Sequence, residues 1–300
     1  MTPQEYARYR ENKRHARPGF AYNTYLCTIP LDFPRVALHW HDEMELIYIK
    51  KGEGAVSLQL RRLPVYAGCI AVVPPGCLHA IEGKDGGSME YENILFSRRL
   101  LTTAGNDWCD DALAPLFDGR VALPPLLTPG SPLHAEAAAC LDEADRACAS
   151  AQEGYPLLVK AALYRLFFVL RRAAEYGAPP PPPEAERVKA ALSLIAARCG
   201  EKLTVADAAA AVGYSPSHFM RFFRAAVGQP FAVYLNDYRL TAAARLLRET
   251  DGSVLDIAGQ TGFDSLSYFC RRFHRKYGLS PGRYRAAARR EAPPPEPLKI

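Results

Sequence analysis

The sequence predicts an α+β protein of two domains, in which a β-sandwich or barrel with added helices precedes an all-helical domain. Three observations predict this order. Residues 20–96 consist of short runs rich in β-branched and aromatic residues, separated by Gly, Pro and Asp. Residues 132–150 and 156–176 then change to helical periodicity. Beyond five consecutive prolines at 179–183, one helical pattern occurs twice.

The β-rich segment carries two histidine motifs. HWHDEMELIYIKKG begins at His39, and GCIAVVPPGCLH ends at His79. His39 and His41 are two apart on a predicted strand, so both imidazoles are expected to face the same way. Glu45 keeps that parity if the strand continues or is broken by an even number of residues.

Together the motifs read HxHxxxExxxxxxG and GxxxxxPxGxxH, which resembles the two-part fingerprint of the cupin jelly-roll barrel. In cupins that bind metal, the histidines and the glutamate of these motifs are the ligands. The resemblance therefore implies metal ligands at His39, His41, Glu45 and His79. Such a set suits a divalent first-row transition metal with open coordination positions. The second motif is incomplete, because Gly83 stands where an Asn usually closes it. Three interpretations stay open: a metal site, an effector pocket lined by the same residues without metal, and a structural cluster.

The helical segment at 126–178 carries an apolar face that is too wide to stay exposed. On its second helix the predicted stripe contains Leu157, Ala161, Tyr164 and Phe168, and it is widened by Leu158, Leu166, Val169 and Leu170. We expect this face to pack either against the barrel or against the same helix of a second subunit. The segment is therefore a predicted homodimerisation element.

The prolines form the predicted domain border. Proline lacks the amide donor and fixes φ, so five in a row favour a semi-rigid polyproline II spacer of about 15 Å. The predicted divisions are a barrel at 1–125, the helical segment at 126–178, a linker at 179–184, a helical domain at 185–288 and a tail at 289–300.

The positive charge is concentrated after this border. Residues 184–300 have a charge balance of +7, whereas residues 1–183 have a balance of −2. This asymmetry predicts a polyanionic partner for the C-terminal domain and not for the barrel.

The repeated pattern lies within TVADAAAAVGYSPSHFMRFFRAAVG, residues 204–228, and SVLDIAGQTGFDSLSYFCRRFHRKYG, residues 253–278; the two predicted motifs span 204–226 and 253–276. Each copy begins with a capping Ser or Thr, turns at a glycine (Gly213 or Gly262) and ends in a helix with one apolar and one basic face. This pattern is typical of a helix-turn-helix, whose second helix enters the major groove of double-stranded DNA. A predicted long helix between the copies would hold the two second helices about 34 Å apart, one turn of DNA.

The segment from about Arg187 to Arg285 resembles the DNA-binding domain of AraC/XylS-type transcriptional regulators, most closely in GYSPSHFMRFF and from IAGQTGF to SPGRYR. The resemblance implies that the N-terminal part of each second helix contacts bases. By position these residues are Ser217, Met220, Arg221, Leu266, Ser267 and Arg271. Among them, Arg221 and Arg271 are the predicted guanine readers. Phosphate contacts are expected from Arg224, Arg272, Arg275 and Lys276.

Regulators of this type often carry a cupin-like sensor ahead of the DNA-binding domain. The sequence therefore predicts a transcriptional activator controlled by a small-molecule effector, for which sugars are a common class. It lacks the P-loop and GxSxG motifs of two large enzyme classes. Two other hypotheses are a metal-dependent cupin enzyme and a regulator whose effector is the metal ion itself. Because the sequence has no apolar run typical of a signal peptide or a membrane span, we expect a cytoplasmic protein with no membrane partner.

Overall fold

The computed structural model describes residues 20–32, 35–102, 108–176 and 181–291. The chain divides into two compact units, with the border between Glu186 and Arg187. The predicted α+β order is confirmed, because a β-structure with added helices precedes an all-helical unit.

The N-terminal unit is built on two antiparallel sheets. One has the strand order β1-β8-β3-β6-β10 and the other the order β2-β7-β4-β5, while β11 pairs with β9 apart from both. The strands are β1 Tyr22–Ile29, β2 Arg35–His39, β3 Met44–Lys51, β4 Glu53–Leu58, β5 Arg61–Tyr66, β6 Ile70–Val73, β7 His79–Gly83, β8 Met89–Phe96, β9 Val121–Ala122, β10 Leu126–Leu127 and β11 Glu175–Tyr176.

Alternate residues of the five-stranded sheet belong to two different cores. On β3, Ile47 and Ile49 face the other sheet and form the inner core of the barrel. Met44 and Leu46 point the opposite way, into a second core shared with the helices. The side-chain period of two therefore separates an inner face, where the histidine motifs lie, from an outer face.

Three helices accompany the sheets: α1 Trp108–Phe117, α2 His134–Ser150 and α3 Tyr155–Arg171. The last two pack together and against the outer face of the sheet. The predicted helix at 156–176 is shorter than expected at its C-terminal end, because Glu175 and Tyr176 pair with β9.

The face predicted to be buried on α3 is only partly buried within the single chain, since Leu166, Val169 and Leu170 are buried but the central stripe is not. The side chains that pack toward the sheet are Val159, Leu163, Leu166, Phe167 and Leu170. By contrast, Leu157 and Phe168 are 72% and 69% exposed, and Ala161 is exposed as well. Because the helix is apolar on most of its circumference, periodicity alone could not decide which side meets the sheet.

A polar cluster lies on the outer face of the sheet, beside α2. We call it the outer cluster, and its members are Tyr22, Lys50, Glu92, Asp142 and Asp145. The Lys50 ammonium lies 2.9 Å from Glu92 Oε2 and 4.0 Å from Asp142 Oδ1. Burial raises the pKa of Asp145 to about 8, and both a hydrogen bond with Glu92 and the negative charge of Glu92 contribute to this rise. The Tyr22 hydroxyl is buried and has no hydrogen-bond partner among the described residues.

The C-terminal unit is helical throughout its described part. Its helices are α4 Pro183–Arg198, α5 Val205–Ala211, α6 Pro216–Val227, α7 Phe231–Glu249, α8 Val254–Gln260, α9 Leu266–Tyr277 and α10 Pro281–Glu291. The last proline of the predicted linker starts α4, a position where proline is tolerated because the first amide of a helix is unpaired anyway. The described residues do not include Pro179 and Pro180 of the predicted linker, the predicted tail from residue 292 onward, or residues 1–19. None of the described helices has the length and apolar character needed to cross a membrane.

Candidate functional site

Four side chains of the two histidine motifs converge inside the barrel, and we call them the inner cluster. His39 ends β2, His41 follows in the turn, Glu45 lies on β3 and His79 begins β7. His39 and His79 are direct partners in the β2–β7 ladder, with their ring centroids 4.1 Å apart. One potential ligand atom from each residue can be chosen so that all four lie within 4.8 Å of one another.

Each histidine of the inner cluster is oriented by the backbone. The Nδ1 atoms of His39, His41 and His79 lie 2.9, 3.2 and 2.8 Å from the carbonyl oxygen of a residue two positions away in the chain. A carbonyl oxygen only accepts, so each Nδ1 carries the proton. In the neutral imidazole, Nε2 is then the nitrogen that keeps a lone pair.

Glu45 is the carboxylate at the centre of the inner cluster. Its Oε2 atom lies 2.8 Å from Nε2 of both His41 and His79. Only the contact with His41 has hydrogen-bond geometry. Both Glu45 and His79 are almost fully buried, at 1% and 0% exposed, so His79 Nε2 is an unpaired buried atom facing a carboxylate. A nitrogen lone pair and a carboxylate oxygen at this distance require a proton or a cation between them.

The electrostatics of His39 and Glu45 favour the charge states of metal ligands, whereas those of His41 favour its protonated form. Burial lowers the pKa of His39, and the neighbouring His79 holds it well below its ordinary value. Burial acts to raise the pKa of Glu45, but the charge of His79 and the hydrogen bond with His41 hold it well below the usual range. For His41, burial lowers the pKa while the hydrogen bond to Glu45 raises it, and the net direction is upward. A neutral imidazole and an ionised carboxylate are the forms that bind metal.

The residues present therefore fit a divalent transition metal. Three imidazoles and one carboxylate are a common donor set for first-row ions. The Nδ1 contacts to backbone carbonyls are the outer hydrogen bonds that metal-binding histidines usually make. A metal ion bound here would be the partner that His79 Nε2 lacks among the described residues.

The two helix-turn-helix copies of the C-terminal unit are α5–α6 and α8–α9. Thr204 and Ser253 cap the first helices, and each accepts from the amide of an aspartate three residues later. Ser215 and Ser265 cap the second helices in the same way. The buried faces of α6 and α9 carry Phe219, Phe223, Phe269 and Phe273, all fully buried.

The predicted base-reading residues all lie on exposed positions. Arg221 and Arg271 stand the same number of residues after the capping serine of α6 and of α9. The other exposed members of the predicted set are Ser217, Met220, Leu266, Ser267, Arg224 and Arg275, while Arg272 is half-buried. The geometry leaves the first two turns of each second helix available to a partner.

Lys276 lies in a different place from the other predicted phosphate contacts. Its ammonium donates to Asp237 O at 2.9 Å and to Thr241 Oγ1 at 3.1 Å, and it lies 3.8 Å from Asp237 Oδ1. These contacts tie α9 to α7. A phosphate contact by this side chain would compete with bonds that it already makes.

Sequence reasoning missed two exposed aromatic side chains at matching positions. His218 and Tyr268 lie between the capping serine and the first buried phenylalanine of α6 and of α9. The His218 ring lies 4.1 Å from that of Tyr214, over which the Arg187 guanidinium sits at 5.0 Å. The signal that marks them in the sequence is their shared position in the two copies.

The turns of the two copies differ in their surroundings. Gly213 and Gly262 both have a positive φ, of 72° and 81°. A Cβ on Gly213 would meet nothing within 4 Å, whereas one on Gly262 would lie 2.5 Å from Cys199 O and 2.7 Å from Arg239 Nε. Arg239 itself donates to Cys199 O at 2.7 Å, so the second turn is packed and the first is open.

Two family profiles match the chain. One is described as an AraC-like ligand binding domain and matches residues 24–167. The other is described as a helix-turn-helix domain and matches residues 208–287. The matches cover the inner cluster and most of the two helix-turn-helix copies.

Individual proteins of known sequence or structure are also similar. The uncharacterized HTH-type transcriptional regulator YdeC of Bacillus subtilis is 25% identical over 83% of this chain and 86% of its own length. The regulatory protein PocR of Salmonella typhimurium is 34% identical, over 36% of each chain. An apo form of ToxT from Vibrio cholerae aligns with 89% of this chain and 97% of its own, at 12% identity and a TM-score of 0.42. The DNA-binding domain of AdpA, in complex with a target DNA, aligns with 36% of this chain and 94% of its own, at 35% identity and a TM-score of 0.33.

Proposed function

Because this chain belongs to the AraC family of DNA-binding transcriptional regulators and carries a ligand-binding domain of that family, we propose that a small-molecule effector bound at the inner cluster controls its activity. The observation that carries this proposal is the convergence of three backbone-oriented imidazoles on one buried carboxylate. An effector acts only through a difference in its affinity for two arrangements of the protein. We propose that the arrangement favoured by the effector activates transcription.

The inner cluster would also hold a divalent transition metal, with His39, His41, Glu45 and His79 as its ligands. Such an ion would supply a Lewis-acidic position that binds oxygen. The chain itself provides the imidazoles, keeps them in one tautomer and excludes bulk water through burial. Hydroxyl-rich molecules such as sugars are therefore the effector class that we propose.

We propose a homodimer formed through the exposed apolar edge of α3. Leu157, Leu158, Ala161 and Phe168 lie on this edge, and two of them are more than two-thirds exposed. Isolated monomers rarely expose contiguous apolar stripes of this kind. Leu157→Glu with Phe168→Glu should convert the dimer to a monomer in light scattering, whereas Trp108→Glu, at a similarly exposed apolar residue outside the stripe, should not. An unchanged mass in the double variant would contradict the dimer.

Arg221 and Arg271 are the proposed guanine readers of α6 and α9. Replacing either by Ala should cost about 1–3 kcal/mol of binding to DNA selected from a random pool, and should relax the preference at one base position. The control is Arg61→Ala, on an exposed strand position of the barrel. Equal weakening on selected and random DNA would reassign these arginines to phosphate. Affinity should also fall steeply with salt concentration, since basic residues displace counterions.

The first experiment on the effector site combines two readouts on one set of proteins. Metal content is measured by elemental mass spectrometry for the untagged wild type and for His39→Ala/His79→Ala, and DNA affinity is measured with added divalent metals and with added sugars. Metal that is lost in the double variant, together with a DNA affinity that responds to a small molecule, would support the proposal. A response to metal alone would make the ion the effector. No response to either, in wild type and variant alike, would overturn control through this site.

A further inference from the structure

The inner face of the five-stranded sheet changes from polar to apolar along the barrel. Strand register groups the inward side chains of β1, β8 and β3 into successive rungs. The rungs are Asn23–Leu95–Glu45, then Tyr25–Asn93–Ile47, then Cys27–Tyr91–Ile49. The third rung belongs to the inner apolar core, whereas the second still carries an amide.

Asn93 is a buried polar residue on this inner face whose side chain lacks a full set of hydrogen-bond partners among the described residues. Its side chain is 4% exposed, and its Oδ1 atom has no hydrogen-bond partner within the described part of the chain. Strand β8 lies between β1 and β3, so the neighbouring backbone groups are engaged in the two ladders. Leaving a buried carbonyl oxygen unpaired destabilises a protein, and such atoms call for an explanation.

Asn93 is also close to the inner cluster. It pairs with Ile47, while Glu45 pairs with Leu95, so Asn93 and Glu45 are diagonal neighbours on one face of the β3–β8 pair. Diagonal neighbours in an antiparallel pair lie about 7 Å apart at Cβ. The distance between Asn93 and the inner cluster is therefore within the length of one small molecule.

We propose that Asn93 orients the effector by accepting a hydrogen bond from one of its hydroxyl groups, while an oxygen at the other end of the molecule binds at the inner cluster. This inference rests on the proposed effector site and adds to it a specificity residue. An amide oxygen accepts but does not donate, so it selects a molecule with a donor at this place over one without. The effector is then a small hydroxylated acid or sugar and not a fully deoxygenated analogue.

The first test needs no ligand. Asn93→Val and Asn93→Leu remove the unpaired oxygen, and valine suits a strand position without adding volume. Thr24→Val is the control, because Thr24 is buried on the same sheet but faces outward. The melting temperature of the full-length protein should be unchanged or higher for at least one Asn93 variant. A fall in both variants as large as or larger than that of the control would overturn the proposal, since the amide would then be structural.

The second test uses two matched pairs of probes, L-malate with succinate and D-ribose with 2-deoxy-D-ribose. Binding to the full-length protein is measured by thermal shift and calorimetry, with and without added Zn²⁺. The wild type should prefer the hydroxylated member of at least one pair by about tenfold, the size of one hydrogen bond. That preference should disappear in Asn93→Val and persist in Thr24→Val.

Failure of this inference is separable from failure of the effector site. Equal binding within both pairs that is lost in His39→Ala/His79→Ala would keep the effector site and overturn the role of Asn93. A preference that persists in Asn93→Val would do the same. The absence of any shift with the four probes would overturn the hydroxylated class, while metal content in the double variant still tests the inner cluster by itself.

Discussion

Two polar clusters lie on opposite faces of the same five-stranded sheet, and their charges are balanced in different ways. The inner cluster joins three imidazoles to Glu45 and contains no Lys or Arg. The outer cluster places the Lys50 ammonium between carboxylates, 2.9 Å from Glu92 and 4.0 Å from Asp142. It therefore supplies its own counter-charge.

This difference indicates which cluster awaits a partner. In the inner cluster the Nε2 lone pair of His79 points at the Glu45 carboxylate, so a bound cation or ligand would improve the energy of the cluster. The outer cluster already contains a cation, and the Lys50 ammonium also lies 3.7 Å from the centroid of the Tyr48 ring. We expect binding to depend on the inner cluster and stability to depend on the outer one.

The largest expected effect is a loss of metal affinity on substitution of Glu45 but not of Glu92. Glu45→Gln should lower the affinity for Zn²⁺ by at least about 100-fold in calorimetry, because a charged ligand is lost. Glu92→Gln, on the neighbouring strand but in the outer cluster, should leave that affinity unchanged. A similar loss in both variants would mean that the comparison is mistaken.

The next effect concerns the stability that Lys50 provides. Lys50→Met leaves the mostly buried Glu92 without its ion-pair partner, and we expect the free energy of unfolding to fall by about 2 kcal/mol, less than for a fully buried pair. Lys51→Met is a matched control, because Lys51 is 76% exposed where it meets Glu90 and should change stability by under about 0.5 kcal/mol. Urea unfolding followed by tryptophan fluorescence reports this unit, since Trp40 and Trp108 both lie in it.

The outer cluster should contribute to the pH dependence of stability through Asp145. Burial and Glu92 raise the pKa of this carboxyl to about 8, so the folded state holds a proton that the unfolded chain releases near pH 4. Stability should therefore fall as the pH rises from about 4 to 8, and then level off. The groups that face Asp145 or share its surroundings are Glu92, Lys50, Asp142, Tyr22, Tyr48 and Cys148.

Asp145→Asn tests this assignment. The amide remains a donor to Glu92 at every pH, so the variant should lose the fall in stability between pH 6 and pH 9, about 1 kcal/mol for a partly exposed site. Unfolding curves at pH 6, 7, 8 and 9 measure it. A variant that keeps the slope of the wild type would place the titrating group elsewhere.

The smallest expected effect is an increase in stability. Tyr22→Phe removes a buried hydroxyl that has no partner in the described structure, and should raise the free energy of unfolding by roughly 1 kcal/mol. Tyr164→Phe, on α3 of the same unit, removes a hydroxyl that donates to Leu101 O and should lower the free energy of unfolding by about as much. Equal changes in the two variants would show that the Tyr22 hydroxyl is satisfied in solution.

The inner cluster was predictable from the sequence, and the outer cluster was not. His39, His41 and Glu45 lie in one short motif, so they stay close in space once the chain turns between two strands. Strand parity was not the reason, because His41 lies in the turn and Glu45 lies on a strand of the other sheet. The outer cluster collects side chains from β1, β3, β8 and α2, which share no motif and meet only through tertiary packing. Asn93 was missed because nothing in the sequence marks a buried amide whose oxygen is unpaired.

The helical parts show the same limit. The caps and glycines of both helix-turn-helix copies follow from local rules, so their boundaries agree with the pattern. The inward position of Lys276 and the exposed edge of α3 depend on which neighbour each helix meets. The spacing of apolar residues gives the width of the apolar face of a helix, but it does not show which neighbouring element that face packs against.

The packed turn at Gly262 also bears on how the two DNA-reading copies can diverge. Position 213 is constrained only by its positive φ, so Asn, which tolerates that conformation, is a viable substitute. Position 262 is constrained both by φ and by the backbone of Cys199, so no side chain fits there. At this turn the first copy therefore tolerates more sequences than the second, and a substitution there can change the angle between its two helices without breaking a packing contact.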